Sequence, residues 1–382
     1  MSSIFLGFPA LACGGSIAGP QDAVVSDTPT DHGGEDPADV PAEEAPPPPS
    51  GRVDILVVVD DSGSMAAEQS NLRAAMPALI EALLDPPPDP VSGEPVHRIV
   101  RDLHLGVVST NLGAGGFNVG GCEDLGDNGV LLHEPHGTPC ETAYPQFLSY
   151  LIGDAEPPDV AGIDGLSADF GCIATLGTEG CGFEQPLEAA YKALVVNARP
   201  GGLNEGFLRE DAILVIVIVS DEEDCSASDN QLFNLTGLTY PVNLRCFMEK
   251  DMLHEVDRYV DGFQGLKASA DRVVVGMIVG VPPDPACNGR GSDLSGCLAL
   301  VSMQEVVRPD GELLQYVCTH PTGCTPPNPP DPGTCMSEAF PGRRFVDLAQ
   351  KMGENAIVRT ICTSDYGPAM EAVAERVAEI LQ

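Results

Sequence analysis

The stretch VDILVVVDDSGSM, residues 53–65, passes from a run of β-forming apolar residues straight into two aspartates and two serines. An apolar run of this length, rich in valine, suits a strand covered on both faces, as in a parallel sheet. Four comparable runs follow at residues 103–109, 212–220, 272–280 and 356–362. Between them lie stripes at helical spacing: Leu72, Met76, Leu79 and Leu83; Leu187, Tyr191 and Leu194; Met252, Val256, Tyr259 and Phe263; and Met370, Val373, Val377 and Ile380. Strand and helix in alternation predict a doubly wound α/β fold, with a mainly parallel sheet flanked by helices. The Gly-, Pro- and Cys-rich segments near 111–171 and 282–342 read as loop insertions that need pinning.

In such a sheet, ligands bind outside the carboxyl ends of the strands, close to the point where strand order reverses. The first strand is expected to end at Val59, which puts Asp60, Ser62 and Ser64 on the turn into the first helix. One carboxylate and two hydroxyls make a hard, oxygen-only donor set of the kind Mg²⁺ favours. The run at 212–220 also ends in an aspartate, Asp221, so two strands aim carboxylates at one rim.

These residues resemble the von Willebrand factor type A domain. DDSGSM at 60–65 is similar to that family's D-x-S-x-S element, and VSDEED at 219–224 to its strand-end aspartate. Gly177 and Thr178, ahead of the stripe that begins at Leu187, stand where the family has its Gly-Thr step, and Thr110 is the substitute. The resemblance implies a metal-ion-dependent adhesion site of Asp60, Ser62, Ser64, Thr178 and Asp221, holding Mg²⁺ or else Mn²⁺ or Ca²⁺. It spans most of residues 53–382 apart from the two insertions. A cation held by few carboxylates keeps uncompensated charge, so the implied partner is a protein that offers an acidic side chain. The acidic run Glu222, Glu223 and Asp224, with Asp229, is a possible second metal site. His133 and His136 in HEPH have no helix to align them for zinc.

Composition bounds the rest. With 19 basic against 57 acidic residues the formal charge is −38, and neither a basic stripe nor tryptophan is present, which argues against nucleic acid. No P-loop, dinucleotide fingerprint or G-x-S-x-G elbow occurs, and no convergent acid, base and nucleophile set is visible. A binding module is therefore the expected class rather than an enzyme. A secreted hydrolase with its catalytic groups in the insertions and a structural envelope protein are the alternatives.

Thirteen cysteines, none spaced C-x-x-C, point to an oxidising compartment. Setting Cys13 aside leaves Cys122, Cys140, Cys172, Cys181, Cys225, Cys246, Cys287, Cys297, Cys318, Cys324, Cys335 and Cys362, enough for six bridges. The short-range candidates are Cys122 with Cys140, Cys172 with Cys181, Cys225 with Cys246, and Cys287 with Cys297. Residues 1–13 read as an export signal, and ALAC at 10–13 resembles the lipobox of bacterial lipoproteins, which implies lipidation at Cys13. Residues 14–52 form an acidic, Pro-rich linker with no basic residue before Arg52, a composition that stays extended. The expected location is the cell envelope, with the membrane touched only through the lipid.

Overall fold

The computed structural model describes residues 50–122, 126–136, 139–153, 156–321 and 336–382. The elements run β1 (Arg52–Val59), α1 (Ala66–Leu84), β2 (Asp102–Ser109), β3 (Leu148–Leu151), α2 (Val160–Ile173), α3 (Pro186–Tyr191), β4 (Ile213–Ser220), α4 (Arg245–Met248) and α5 (Asp257–Gln264). They continue with β5 (Val273–Val279), β6 (Gly289–Arg290), β7 (Cys318–Pro321), β8 (Met336–Ala339), α6 (Arg343–Met352), β9 (Ala356–Thr360) and α7 (Gly367–Leu381). The helix begun at α3 continues through a π-helical turn, Lys192–Asn197.

The main sheet has the order β3-β2-β1-β4-β5-β9-β6, with β7 and β8 pairing separately. Strands β2, β1, β4, β5 and β9 are parallel, and the short edges β3 and β6 run antiparallel. Every residue of β4 and β5 is buried, and in β1 only Arg52 is exposed. Full burial on both faces explains why these strands read as continuous Val and Ile runs. Helices α1, α2 and α7 pack in one layer and α3, α5 and α6 in another. The chain steps from β1 to β2 on one side and returns to β4 on the other, so strand order reverses at β1.

The five strands and the helical stripes read from the sequence all have counterparts, with shifts at the ends. Two segments differ. The one near 111–171 holds an edge strand and most of α2, and the one near 282–342 holds β6, several 3₁₀ turns and the β7–β8 pair. These elements are short or poor in apolar periodicity, so they draw their stability from neighbours rather than from pattern. The stripe beginning at Met252 yields a helix only from Asp257, because Met252 lies in a separate 3₁₀ turn.

Among the described residues five disulfides form. Cys225–Cys246 and Cys287–Cys297 pair as neighbours in sequence, as expected. The expected Cys122–Cys140 and Cys172–Cys181 pairs do not form; the bonds are Cys122–Cys181 and Cys140–Cys172. The reason is topological: Cys172 sits in the last turn of α2 against the 139–140 loop, while Cys181 lies beyond that helix on the segment crossing the strand ends. Cys318 bonds Cys362, tying β7 to the end of β9. Cys13, Cys324 and Cys335 lie outside the described residues.

Candidate functional site

The site is built where strand order reverses. Val59 of β1 is in register with Val219 of β4 and Ser109 of β2, so Asp60 sits between Ser220 and Thr110 at the carboxyl ends. Backbone bonds fix this level: Asp60 N–H donates to Val219 O at 3.0 Å, and Thr110 N–H to Val59 O at 3.1 Å. Asp60 is fully buried. Its Oδ1 accepts from the Ser62 backbone N–H at 2.8 Å, and its Oδ2 accepts from the Ser220 hydroxyl at 2.6 Å. Ser62 and Ser64 bring their hydroxyl oxygens to 3.3 Å of each other.

Asp221 follows Ser220 directly and is 2% exposed, and its Oδ1 has no hydrogen-bond partner among the described residues. Its backbone carbonyl accepts from Phe340 N–H at 2.8 Å, which anchors the end of the second insertion to the rim. The structure thus sets Asp60, Ser62, Ser64 and Asp221 around the ends of β1 and β4.

Thr178 is placed differently. Gln69 holds the preceding residue, donating to Gly177 O at 2.8 Å and to Asp60 O at 2.9 Å; Thr178 itself is half-buried and, like Asp60, is not among the residues that line the cleft. The chain then crosses the strand tips: Gly180 N–H donates to Asp61 O, Gln185 N–H to Thr110 O, and Cys225 N–H to Glu184 O. A side chain at Gly180 would put its Cβ 2.3 Å from the Asp61 carboxyl, so the crossing requires glycine at this close approach. Its consequence is Glu184, 4% exposed and lining the cleft beside Asp221. Sequence reading missed Glu184 because a lone Glu before a helix reads as N-terminal charge. The spacing of Cys181 and Pro186 around it, a pinned crossing followed by a helix start, was the available signal. Thr110 keeps a fully buried hydroxyl with no partner among the described residues.

The carboxylates push one another's pKa upward. Asp60 is raised by burial, against the hydrogen bonds from Ser220 and Ser62. Asp221 is raised well above its usual range by burial and then by Asp60 and Glu222, with Ser64 opposing. Glu184 is raised well above by burial and then by Asp60, Glu222 and Asp221. Glu222 is pushed up to about 8 by burial and by Asp60. The charges that bear most on these four groups are negative, an arrangement that favours a cation.

The residues of the possible second site are engaged separately. Glu223 accepts from the backbone N–H groups of Arg343 and Arg344, at the start of α6. Asp224 accepts from Leu187 N–H at the start of α3, from the Ser226 hydroxyl and from Arg344 Nε. Each thereby serves a helix N-terminus. Asp229 is exposed and caps a 3₁₀ turn. Of the four, Glu222 is the one on which the charge of Asp60 bears.

Among the described residues no three His, Cys, Asp or Glu side chains are set closely enough to hold an ion by themselves. His133 and His136 are covered by the same statement. A cation at the rim therefore rests on Asp60, Asp221, hydroxyl oxygens and water. That set fits Mg²⁺, which binds through one or two carboxylates and keeps several waters. The unpartnered Asp221 Oδ1 leaves an acceptor for it.

The rim opens into a cleft of about 1260 Å³. Its far wall comes from residues 242–256 and from the second insertion, including Phe247, Leu253, Leu314 and Tyr316. The bonds Cys225–Cys246 and Cys318–Cys362 pin these walls. Lys250 and Arg343 line the cleft and both pair with Glu305, while Arg344 pairs with Asp224.

Fold and rim together define the class: an α/β protein with a mostly parallel seven-stranded sheet flanked by helices and several disulfides, carrying a polar site at its strand ends. No protein-family profile and no curated protein matches the chain. Among solved structures, proximal thread matrix protein 1 from the mussel byssus is similar at 13% identity and a TM-score of 0.26, over 60% of this chain and 38% of that one. The pilus adhesin from Streptococcus pneumoniae is similar at 10% identity and a TM-score of 0.25, over 86% of this chain and 44% of that one. The chain spans less than half the length of either, and likeness at these scores carries no functional weight. Among the described residues no helix is long and apolar enough to cross a membrane.

Proposed function

We propose that this chain is a von Willebrand factor type A-like binding module that captures a carboxylate of a protein partner through a divalent cation. The observation that supports the reading is the group formed by the buried Asp60, Asp221 and Glu184 with the part-exposed Glu222 at adjoining strand ends, whose negative charges bear on one another. Asp60, Asp221, Ser62 and Ser64 would hold Mg²⁺, or Mn²⁺ or Ca²⁺ in its stead. The ion supplies a hard Lewis-acidic position that attracts anionic oxygen. The protein's own share is to fix the two carboxylates by strand register and to orient Asp60 through Ser220 and the Ser62 N–H. The cleft beside the rim gives a partner segment apolar and aromatic surface next to the anchor.

In this reading the module acts by binding, without catalysis, and is exported and held at the cell envelope by a lipid on Cys13. The test is calorimetric titration of the EDTA-stripped chain with Mg²⁺ and Mn²⁺, alongside Asp60→Ala and Asp221→Ala. Uptake by the wild type that both variants lose supports the site, whereas equal uptake in all three refutes it. Capture of an envelope protein that EDTA abolishes supports the adhesive role. A cation that raises the melting temperature while leaving capture unchanged on chelation favours a purely structural metal.

A further inference from the structure

The resemblance calls for a hydroxyl from a third segment; besides the buried hydroxyl of Thr110 at the end of β2, the structure brings a carboxylate to the rim. Thr178 stays out of the cleft, while three residues beyond Cys181 the crossing segment turns Glu184 into it. The placement is held from both sides, by Gln185 N–H on Thr110 O and by Cys225 N–H on Glu184 O. Glu184 therefore lies over the tip of β1, between the ends of β2 and β4. Burial and the charges of Asp60, Glu222 and Asp221 disfavour its ionised form, against a hydrogen bond from its own backbone N–H. The same rim carries an unpartnered acceptor, Oδ1 of Asp221, a residue only 2% exposed, so both groups are suited to a positively charged ligand.

No three acidic side chains among the described residues are set closely enough to hold an ion by themselves, so Glu184 does not complete a three-carboxylate shell with Asp60 and Asp221. A carboxylate at the rim of an ion that keeps its hydration shell is suited to a different task. It takes hydrogen bonds from the ion's waters, whose protons are acidified by the cation. We propose that Glu184, and not Thr178, is the third point of the rim site, and that it fixes the cation from outside by accepting hydrogen bonds from metal-bound water. The inference rests on the cation-binding reading above. It makes Glu184 a positioning residue that selects an ion retaining its water.

The test uses the full oxidised chain, stripped of metal, with Mg²⁺ as the probe in calorimetry and with thermal melts in EDTA and in Mg²⁺. Glu184→Gln keeps the shape but removes the charge and half of the acceptor capacity. Its Mg²⁺ affinity should fall about 10–100-fold, the range for lost outer-shell partners. Its melting temperature in EDTA should hold or rise, because a buried repulsive carboxyl is gone, and its Mg²⁺-induced rise should shrink. Thr178→Ala should match the wild type in every measurement. Wild-type affinity in Glu184→Gln, or a loss confined to Thr178→Ala, overturns the inference while leaving the cation site standing. A drop in the EDTA melting temperature of Glu184→Gln also overturns it, because that result assigns Glu184 to the fold. Failure of the wild type to take up Mg²⁺ at all removes the underlying reading instead.

Discussion

Asp54 shows how one residue can be charged, buried and silent about function. It is fully buried within β1, at the opposite end from Asp60, and its carboxylate meets Arg209 Nε at 2.8 Å and Lys267 Nζ at 3.7 Å. Arg209 also bonds Asp102 and the Val53 carbonyl, so one guanidinium clips β1 to β2 at their base. Removing its side chain leaves the buried carboxylate with the backbone N–H of residue 209 at 2.8 Å and, more distantly, Lys267 and His104, both at 3.7 Å. Arg209→Ala should therefore destabilise the fold by about 3 kcal/mol, the lower part of the range for breaking a buried pair. Urea unfolding measures this, and a change under about 0.5 kcal/mol, ordinary for a surface site, would contradict it. At the other end of the sheet, burial and the Asp60 charge act on Glu222, and burial, against the charge of Arg344, acts on Glu223. Glu222 and Glu223 are both pushed up from an ordinary 4.5 to about 8, mainly by burial. Between those values the native state binds more protons than the unfolded chain, so stability falls as pH rises through the window. In EDTA the urea midpoint should be lower at pH 8 than at pH 5, and Glu222→Gln should reduce the difference. Equal midpoints for the wild type would exclude this linkage.

Elements carry their own predictions. Gly276 in β5 lets α7 lie close to the sheet, since a Cβ there would come within 2.5 Å of Val373 Cγ2. Gly276→Ala should cost about 1–3 kcal/mol by overpacking. A partial restoration in the double variant with Val373→Ala would locate the cost at that contact, and an additive double variant would locate it elsewhere. The Cys225–Cys246 bond closes a 21-residue separation beside the cleft. Replacing both cysteines by serine should remove about 3 kcal/mol on the chain-entropy account. The buried parallel strands were legible in sequence because burial on both faces writes an unbroken apolar run, as in residues 213–220. Helix α6 was not read, although Phe345, Val346, Leu348 and Ala349 are buried in it. It is short, and its first turn is capped by Glu223, 120 residues away, so no local signal marks its start. The same physics hid Glu184, whose position depends on where a crossing segment is tied rather than on its neighbours in sequence. Asp60, Ser62, Ser64 and Asp221 were legible because each sits within a few residues of a strand end.

For the whole molecule, disulfide connectivity is the most direct check on the topology. Peptide mapping without reduction should recover Cys122 joined to Cys181 and Cys140 joined to Cys172. Recovery of Cys122 with Cys140 would mean that the segment carrying Glu184 is not tied across the strand tips as described. The clip at the base and the rim at the tip also share one strand, and this has a mechanical consequence. The described chain reaches the sheet at Arg52, and β1 then runs without interruption to Asp60, with parallel partners on both sides along its length. Tension applied between residue 50 and an object gripped at the rim would pass along this strand in shear. Its ladder bonds to β2 and β4 would share the load together instead of opening one by one, and Arg209 would guard the end where the force enters.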